Sequence, residues 1–287
     1  MGYQLHVIAS RHKDGIKLKR LPMVQTERRK SAKDSNSYFP SIEDIKYTLS
    51  SPVLLICVNF GFLDFLANLL FSINRLGLKP NVLVVCEDEE TFLELSQHGN
   101  FYDMKFQIVL THLNKSLPKP SEWKSDGYIQ LVRKRPHYIE TLLKNNLDVF
   151  YVDTDIVWLG DPFPFFRGGY DLFIQQELQN ETLYCAGFFY MKSNEYTRSF
   201  VSSWARTKFK GRRGIQRALN DLLKKFTNIS ISALPTNQFS SGGIFFSSNV
   251  PWYERSPPPI EVHVNFMAGH DNKKDRMKTF GLWFLQE

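Results

Sequence analysis

The sequence contains few cysteines, and none of them is spaced like a metal ligand. The three present, Cys57, Cys86 and Cys185, lie in or beside apolar, strand-like segments. This excludes a cysteine-built metal centre, and we expect all three thiols to pack in the core. An internal repeat is also absent, which excludes a repeat architecture.

No apolar run is long and pure enough to indicate a membrane span. The most apolar stretch, residues 53–73, contains Asn59, Asp64 and Asn68, and an Asp near the centre of a span is costly in lipid. We therefore predict a strand followed by a helix there. The sequence begins with too short an apolar run for a signal peptide, and His6 stands where a myristoylation motif has Ser or Thr. No targeting segment or membrane anchor is expected in this sequence.

Positive charge is concentrated at the start of the chain. The formal net charge is +7, and residues 1–50 hold ten Lys or Arg against five Asp or Glu. Because residues 11–50 also lack sustained periodicity, we predict a poorly ordered basic arm over residues 1–49 and one folded domain over residues 50–287. A basic arm suits nucleic acid or an anionic membrane. A solvated leader is the simpler interpretation.

Apolar runs and helical patterns alternate after the arm. Continuous apolar runs indicate three strands covered on both faces, at residues 53–58, 82–86 and 106–110. Helical spacing of leucines over residues 63–77 and an acidic start at residues 87–90 indicate the helices between them. This βαβαβ order predicts a single-domain α/β fold with a mainly parallel sheet, right-handed crossovers and helices on both faces.

The stretch VFYVDTDIVWLGDP, residues 149–162, runs from an apolar strand into two aspartates. Alternate side chains of a strand face the same way, so Asp153 and Asp155 emerge together at its carboxyl end, where open α/β sheets bind ligands. Two carboxylates this close repel each other unless a cation lies between them. A hard divalent ion binds one or two carboxylates and completes its shell with water and phosphate oxygens. The stretch therefore predicts a Mg²⁺ or Mn²⁺ site that holds a nucleotide diphosphate, with a solvated acidic turn as the alternative.

Further elements follow the aspartates. Strands are predicted at residues 171–174 and 187–191. A later helix has a buried stripe that places Gln216 and Asn220 one turn apart beside it. The tail gathers polar residues in one short stretch, namely His263, Asn265, Gly269, His270, Lys273 and Lys274.

Together these segments resemble the nucleotide-diphospho-sugar transferases of glycosyltransferase family 77, whose plant members include α-xylosyltransferases and arabinosyltransferases. The resemblance covers about residues 50–287, and its most specific part is the aspartate strand with Trp158 and Asp161-Pro162. The matching segments are CVNFGFLDFLANLL (57–70), RPHYIETLLKNN (135–146), FYVDTDIVWLGDP (150–162), CAGFFYMKSN (185–194) and HVNFMAGHDNKKDRM (263–277).

The resemblance implies a GT-A fold and a retaining transfer of a sugar from a UDP-sugar donor to a glycan or glycoprotein acceptor, usually with Mn²⁺. Xylose, arabinose and galactose are the candidate donor sugars. The resemblance also implies the Golgi lumen, with membrane contact only through an anchor that this sequence does not show. Three glycosylation sequons, at Asn114, Asn180 and Asn228, agree with a secretory lumen.

Carried over position by position, the resemblance implies several binding residues. The metal ligands would be Asp153, Asp155 and His263. The nucleotide-binding residues would be Asn59, Arg135, Asp153 and Thr154. The diphosphate-binding residues would be Gly269 and Lys273, because a departing UDP develops negative charge that a cation must meet.

Gln216 would lie near the β face of the anomeric carbon. An amide is a poor nucleophile, so we favour a front-face mechanism in which departure and attack share one side of the sugar. Glu177 is the alternative, as nucleophile or as acceptor-binding group. The family usually has Asp-Gln here, whereas this chain has Ile215-Gln216. The missing Asp predicts an altered donor choice or activity, unless Ile215 only extends the buried stripe of its helix.

Two other functions compete with the enzyme. A sugar-nucleotide-binding protein of weak or lost turnover would account for Ile215, but the retained Asp153, Asp155 and His263 favour an enzyme. A nucleic-acid binder would use the basic arm and the cationic cluster within residues 206–225. No RNA-binding signature accompanies those charges, so no nucleic-acid partner is expected. The sequence thus favours a UDP-sugar-dependent glycosyltransferase.

Overall fold

The computed structural model describes residues 42–98, 104, 106–111, 126–179, 182–208 and 214–285. Within these ranges the chain forms ten strands and nine α-helices. The strands are β1 (Val53–Val58), β2 (Asn81–Cys86), β3 (Phe106–Leu110), β4 (Val149–Val152), β5 (Ile156–Trp158), β6 (Leu172–Gln176), β7 (Tyr184–Met191), β8 (Ile231–Ala233), β9 (Phe239–Ser241) and β10 (Glu261–His263). The helices are α1 (Ile42–Ile45), α2 (Leu63–Asn74), α3 (Glu89–His98), α4 (Asp126–Val132), α5 (Arg135–Lys144), α6 (Glu195–Ala205), α7 (Ile215–Leu223), α8 (Gly242–Phe245) and α9 (His270–Thr279).

Seven strands form the main sheet, in the order β3-β2-β1-β4-β7-β6-β8. Four of its pairings are parallel, and β7 is antiparallel to both β4 and β6. Alternate residues of β1 pack against opposite layers. Leu54 packs in the layer that contains α2, and Leu55 packs in the layer that contains α5. Both faces are therefore covered, which confirms the predicted mainly parallel sheet with helices on both sides.

The predicted strands and helices are present, with small differences at their ends. The helix expected to open at residue 87 begins at Glu89, because the Asp88 carboxylate accepts hydrogen bonds from the backbone amides of Thr91 (2.7 Å) and Phe60 (2.9 Å). The helix with the Gln216 stripe ends at Leu223, and Phe226 packs on the core from the following turn.

A second sheet of three short strands was not predicted. Its order is β5-β10-β9, with β10 antiparallel to β5 and parallel to β9. In this sheet His263 pairs with Ile156, and the Val264 amide donates to the Asp155 carbonyl at 2.9 Å. The small sheet thereby carries the tail of the chain to the end of the aspartate strand.

Aromatic side chains fill the core beside that strand. Phe150 stacks on Trp158 at a centroid distance of 5.4 Å and meets Phe188 edge-on at 5.1 Å. All three rings are fully buried. The packed rings give the strand that bears the aspartates a rigid support.

The folded body begins within the predicted arm. Helix α1 precedes residue 50, and its Ile42 is buried in the core layer that contains α5. The Thr48 hydroxyl donates to Gln107 Oε1 on β3 at 2.7 Å. The domain boundary therefore lies at or before Ile42, while residues 1–41 are outside the described residues.

Among the described residues, no helix is long and apolar enough to cross a membrane. Residues 53–73 form a strand and a helix, as predicted. The sequons at Asn114 and Asn180 lie outside the described residues, whereas Asn228 is exposed in a turn.

Candidate metal and nucleotide site

Three side chains converge where the aspartate strand ends. Asp153 and Asp155 follow β4, His263 ends β10, and one ligand atom from each lies within 4.8 Å of the others. His263 Nε2 is 3.3 Å from Asp155 Oδ1 and 3.9 Å from Asp153 Oδ2. The structure thus brings together the three residues that the sequence predicted as metal ligands.

Asp153 is oriented by two donors. Arg135 Nη1 (2.8 Å) and Tyr151 Oη (2.9 Å) both donate to Asp153 Oδ1. The other carboxylate oxygen, Oδ2, is the one nearest His263. Arg135 Nε also lies 3.4 Å from Oε1 of buried Glu87, whose pKa is raised by burial. The predicted nucleotide-binding Arg135 therefore fixes the position of a predicted metal ligand.

Asp155 is buried between two cationic groups. Lys273 Nζ donates to its Oδ2, and His263 lies on the side of its Oδ1. Burial alone would raise the pKa of Asp155, but the charges of Lys273 and His263 hold that pKa well below its usual range. For His263 the effects are reversed: burial alone would lower its pKa, but the charge of the Asp155 carboxylate raises it. Asp155 is consequently kept ionised, which is the form that binds a metal.

The close approach of these side chains depends on Gly187 of β7. A methyl group at this position would collide with Asp153 Oδ2 and lie 2.6 Å from His263 Cε1. No side chain other than hydrogen fits there. The space in front of Gly187 is thus lined by the Asp153 carboxylate and the His263 imidazole. With Asp155 these groups form a donor set that suits a divalent ion such as Mn²⁺.

His263 is held from behind by a buried polar pair. Its Nδ1 lies 3.2 Å from Gln175 Oε1, and Gln175 Nε2 donates to Glu261 Oε2 at 3.0 Å. An N–H on Nδ1 satisfies Gln175, and in the neutral ring, the form that binds a metal, the Nε2 lone pair faces the carboxylates. Burial, and then the charge of Asp155, raises the pKa of Glu261 well above its ordinary value. Gln175 and Glu261 thus fix the ring that would bind the metal.

The sequence did not predict this pair or the requirement for Gly187. The available signal was a polar residue inside an otherwise apolar strand, as in LFIQQ of β6. Cys185 is buried as predicted, yet its Sγ also lies 3.4 Å from His263 Nδ1. Its contact with the candidate ligand is a second feature that spacing alone could not show.

Asn59 lies at the carboxyl end of β1, where a ligand-binding residue was predicted. It is buried, and in the described part of the chain its Oδ1 has no hydrogen-bond partner. A buried amide oxygen without a partner is costly unless a bound group satisfies it. Thr154 is half-buried between the two aspartates. Both positions are compatible with the predicted nucleotide contacts.

Helix α7 is joined to the first residues of β7 by two side chains. Gln216 Oε1 accepts a hydrogen bond from the Ala186 amide at 3.2 Å, next to Gly187. Asn220 accepts from the Tyr184 amide and donates to the Tyr184 carbonyl, both at 2.8 Å. The predicted pairing of Gln216 and Asn220 on one face is confirmed, and it places Gln216 beside the cluster.

Ile215 is buried in the core layer that contains α5. Its carbonyl accepts a hydrogen bond from Trp204 Nε1 at 3.0 Å. The side chain that replaces the usual Asp therefore packs as part of the buried stripe of its helix.

Glu177 lies at the opposite edge of the site and is buried. Asn265 Nδ2 donates to its Oε2 at 3.1 Å, and the Asn265 side-chain oxygen accepts from the Gly242 amide at 2.7 Å. Burial, and then the charge of Glu177, raises the pKa of the Cys185 thiol. Glu177 is therefore close to the sulfur that touches His263.

Helix α9 and the residue before it carry the predicted diphosphate-binding residues, of which Lys273 contacts Asp155. Gly269 precedes the helix with φ of +89°, a conformation that favours glycine. A cleft of about 520 Å³ is lined by Gly61, Gly269, His270, Asp271 and Asn272. The helix is tied to α2 through Asp64, which contacts His270 Nε2 (2.9 Å) and Lys274 Nζ (3.1 Å).

Comparison with known proteins gives one family. The model for nucleotide-diphospho-sugar transferases matches residues 77–277. UDP-D-xylose:L-fucose alpha-1,3-D-xylosyltransferase 3 of Arabidopsis thaliana is 26% identical over 273 residues, which cover 85% of this chain and 69% of the relative. UDP-galactose:fucoside alpha-3-galactosyltransferase of Dictyostelium discoideum is 24% identical, with 85% of this chain and 44% of the relative covered.

The fold is also similar to that of a solved structure. The glycosyltransferase GlyE of Streptococcus pneumoniae TIGR4 superimposes with a TM-score of 0.51 at 13% identity, over 83% of this chain. The superposition covers 61% of the length of GlyE.

Proposed function

Since this chain belongs to the nucleotide-diphospho-sugar transferase family, we propose that it is a metal-dependent, retaining glycosyltransferase that moves a sugar from a UDP-sugar to a glycan or glycoprotein acceptor. The observation that carries the proposal is the convergence of Asp153, Asp155 and His263 within 4.8 Å, with Lys273 on Asp155. The predicted GT-A fold and family are confirmed, while donor, acceptor, metal and stereochemistry are parts of the proposal.

Different residues would bind different parts of the UDP-sugar donor. Asp153, Asp155 and His263 would hold Mn²⁺ or Mg²⁺, which neutralises charge on the diphosphate when bound. Lys273 supplies a second positive charge from α9, next to Gly269. Asn59 offers an unpartnered amide oxygen for the nucleotide, and Arg135 fixes the position of Asp153.

The transfer breaks the bond between the anomeric carbon and the diphosphate oxygen, which leaves with the electron pair. The acceptor oxygen bonds to the same face of that carbon, and its proton passes to the departing diphosphate oxygen. Gln216 Oε1 already accepts a backbone amide, so its role is to position the sugar rather than to attack it. We therefore propose the front-face mechanism, with a covalent one on Glu177 as the alternative.

The named relatives suggest the substrates. One acts from UDP-D-xylose on L-fucose and another from UDP-galactose on a fucoside. We therefore propose xylose or galactose as the donor sugar, with arabinose third, and a fucoside as acceptor. Residence in the Golgi lumen is proposed on the family resemblance, together with the exposed sequon at Asn228.

The alternative is a protein that binds the sugar nucleotide without turnover. The residue that favours this alternative is Ile215, which packs in the core where the family usually has an Asp. An enzyme and a binding protein share the same cluster, so only turnover separates them.

The test is a screen for UDP release from UDP-xylose, UDP-galactose and UDP-arabinose, with Mn²⁺ or with EDTA, and with or without methyl α-L-fucoside. Release from one donor that chelation abolishes is expected. Asp155→Asn should lose at least about 100-fold in Mn²⁺-dependent UDP release, while Asp221→Asn on the exposed face of α7 keeps full activity. Mn²⁺-dependent UDP binding with no release from any donor would favour the binding protein.

A further inference from the structure

Phe266 is an exposed aromatic residue three positions after the candidate ligand His263. It exposes 60% of its surface, although phenylalanine has no polar group to place in water. Its backbone φ of +58° lies in the left-handed region, which is unfavourable for a bulky residue. An exposed ring on a strained backbone indicates a functional requirement rather than packing.

The segment before Phe266 is held firmly. The two ends of the Asn265 side-chain amide bond to the Gly242 amide (2.7 Å) and to Glu177 Oε2 (3.1 Å). A Cβ at Gly242 would collide with the Asn265 carbonyl oxygen, so the two segments pack backbone to backbone. The backbone that carries Phe266 is therefore anchored next to the same Asn265 side chain that bonds to Glu177.

A second apolar side chain lies close to the ring. A methyl group built on Gly243 would lie 3.5 Å from both Leu178 Cδ2 and Phe266 Cδ2. Leu178 is half-buried and directly follows Glu177. Gly243 thus lies between the apolar side chains of Leu178 and Phe266. The buried carboxylate of Glu177 belongs to the residue immediately before Leu178.

We propose that Phe266 and Leu178 form the apolar side of the acceptor site, and that Glu177 accepts a hydroxyl of the same sugar. This inference rests on the proposed function and names the residues that would bind its acceptor. A sugar pairs an apolar face with directional hydroxyls, and ligand sites match this with apolar walls and a few polar groups. Between Phe266 and Leu178 a methyl group is favoured over a hydroxymethyl group, so the site suits a 6-deoxyhexoside.

The substitution Phe266→Asn tests the ring without straining the backbone, because Asn tolerates a positive φ better than Phe does. Its melting temperature should equal or exceed that of the wild type. In the presence of UDP and Mn²⁺, binding of methyl α-L-fucoside, measured by saturation-transfer NMR, should weaken about 10-fold or more. UDP release without acceptor should stay within about twofold. Tyr253→Ala, which removes a ring that is 69% exposed elsewhere, is the matched control.

Specificity gives a second readout. Methyl α-L-galactoside differs from the fucoside only by a hydroxyl on C6, and we expect the wild type to prefer the fucoside by roughly 10- to 100-fold. Phe266→Asn and Leu178→Ala should each reduce that preference.

Fucoside binding that is absent in the wild type, or equal in wild type and Phe266→Asn, overturns the inference. These NMR readouts need no turnover. Absence of UDP release with fucoside binding that depends on Phe266 would refute the enzyme while retaining the acceptor site.

Discussion

At the scale of single residues, the imidazole of His263, a proposed metal ligand, is oriented by its neighbours. Gln175 meets its Nδ1 at 3.2 Å and is itself held by Glu261 at 3.0 Å. Outer partners of this kind contribute substantially to metal affinity, because they fix the tautomer and the ring direction.

We predict that Gln175→Leu lowers the affinity for Mn²⁺ by about 10- to 100-fold, measured by calorimetry in the presence of UDP. Gln175→Glu restores an oxygen acceptor for Nδ1 and should recover part of the lost Mn²⁺ affinity. If Gln175 only packed against the ring, no such recovery would follow. Gln179→Leu on the exposed loop is the control. Equal Mn²⁺ affinity in Gln175→Leu and wild type would show that the amide does not orient the ring.

The residues that were predictable are those adjacent in sequence. Asp153 and Asp155 share one side of a strand end, so alternation alone placed them together. His263 came from a family resemblance. Gln175, Glu261 and Gly187 were missed, because they meet only through the pairing of strands far apart in the chain.

At the scale of elements, helices α5 and α6 are joined by Glu140. Its carboxylate accepts hydrogen bonds from Lys144 Nζ and Ser202 Oγ, each at 2.6 Å, and Arg206 Nη2 lies 3.4 Å away. Burial would raise the pKa of Glu140, but the Lys144 and Ser202 hydrogen bonds hold it below its ordinary value of 4.5. The ionised side chain is thus favoured in the folded state.

We predict that this contribution is complete above pH 4.5 and is lost as the pH falls through the lowered pKa. Glu140→Gln should reduce the free energy of unfolding at pH 7 by about 1–3 kcal/mol. The difference from wild type should shrink towards pH 3. Urea unfolding at several pH values measures both, with the exposed Glu195→Gln as control. A difference that is independent of pH would contradict the assignment.

Long elements were predicted better than short ones. Except for β8, the strands of the main sheet carry enough residues to show apolar runs, whereas β8 has three residues and was not predicted. β5, β9 and β10 have three residues each, too few to show alternation, so the second sheet was invisible in the sequence. The same limit hid α1, which has four residues inside a basic segment.

At the scale of the whole molecule, the site is assembled from β1, β4, β7, β10 and α9. Bound UDP and Mn²⁺ should therefore stabilise the entire fold. Binding only to the folded state at 100 times Kd adds about 2.7 kcal/mol. For a domain of this size that corresponds to a rise in melting temperature of roughly 5–10 °C.

We predict this rise with UDP and Mn²⁺ together, and a smaller one with either alone. Addition of EDTA should abolish the effect of the pair, and Asp155→Asn should not show it. Differential scanning fluorimetry gives the melting temperature of the wild type and of Asp155→Asn under each of these conditions. An equal shift with UDP in EDTA would mean that the nucleotide binds without a divalent ion.

Because the chain is synthesised from its amino end, the cluster is incomplete until His263 has been added. Asp153 and Asp155 are synthesised at mid-chain, but the third side chain of the cluster arrives only with β10, and Lys273 ten residues later. A nascent polypeptide that stalls before residue 263 holds a complete main sheet and an incomplete cluster. The divalent-ion affinity proposed for this cluster therefore requires synthesis of the chain to pass residue 263, and a product truncated before that residue lacks the proposed third ligand.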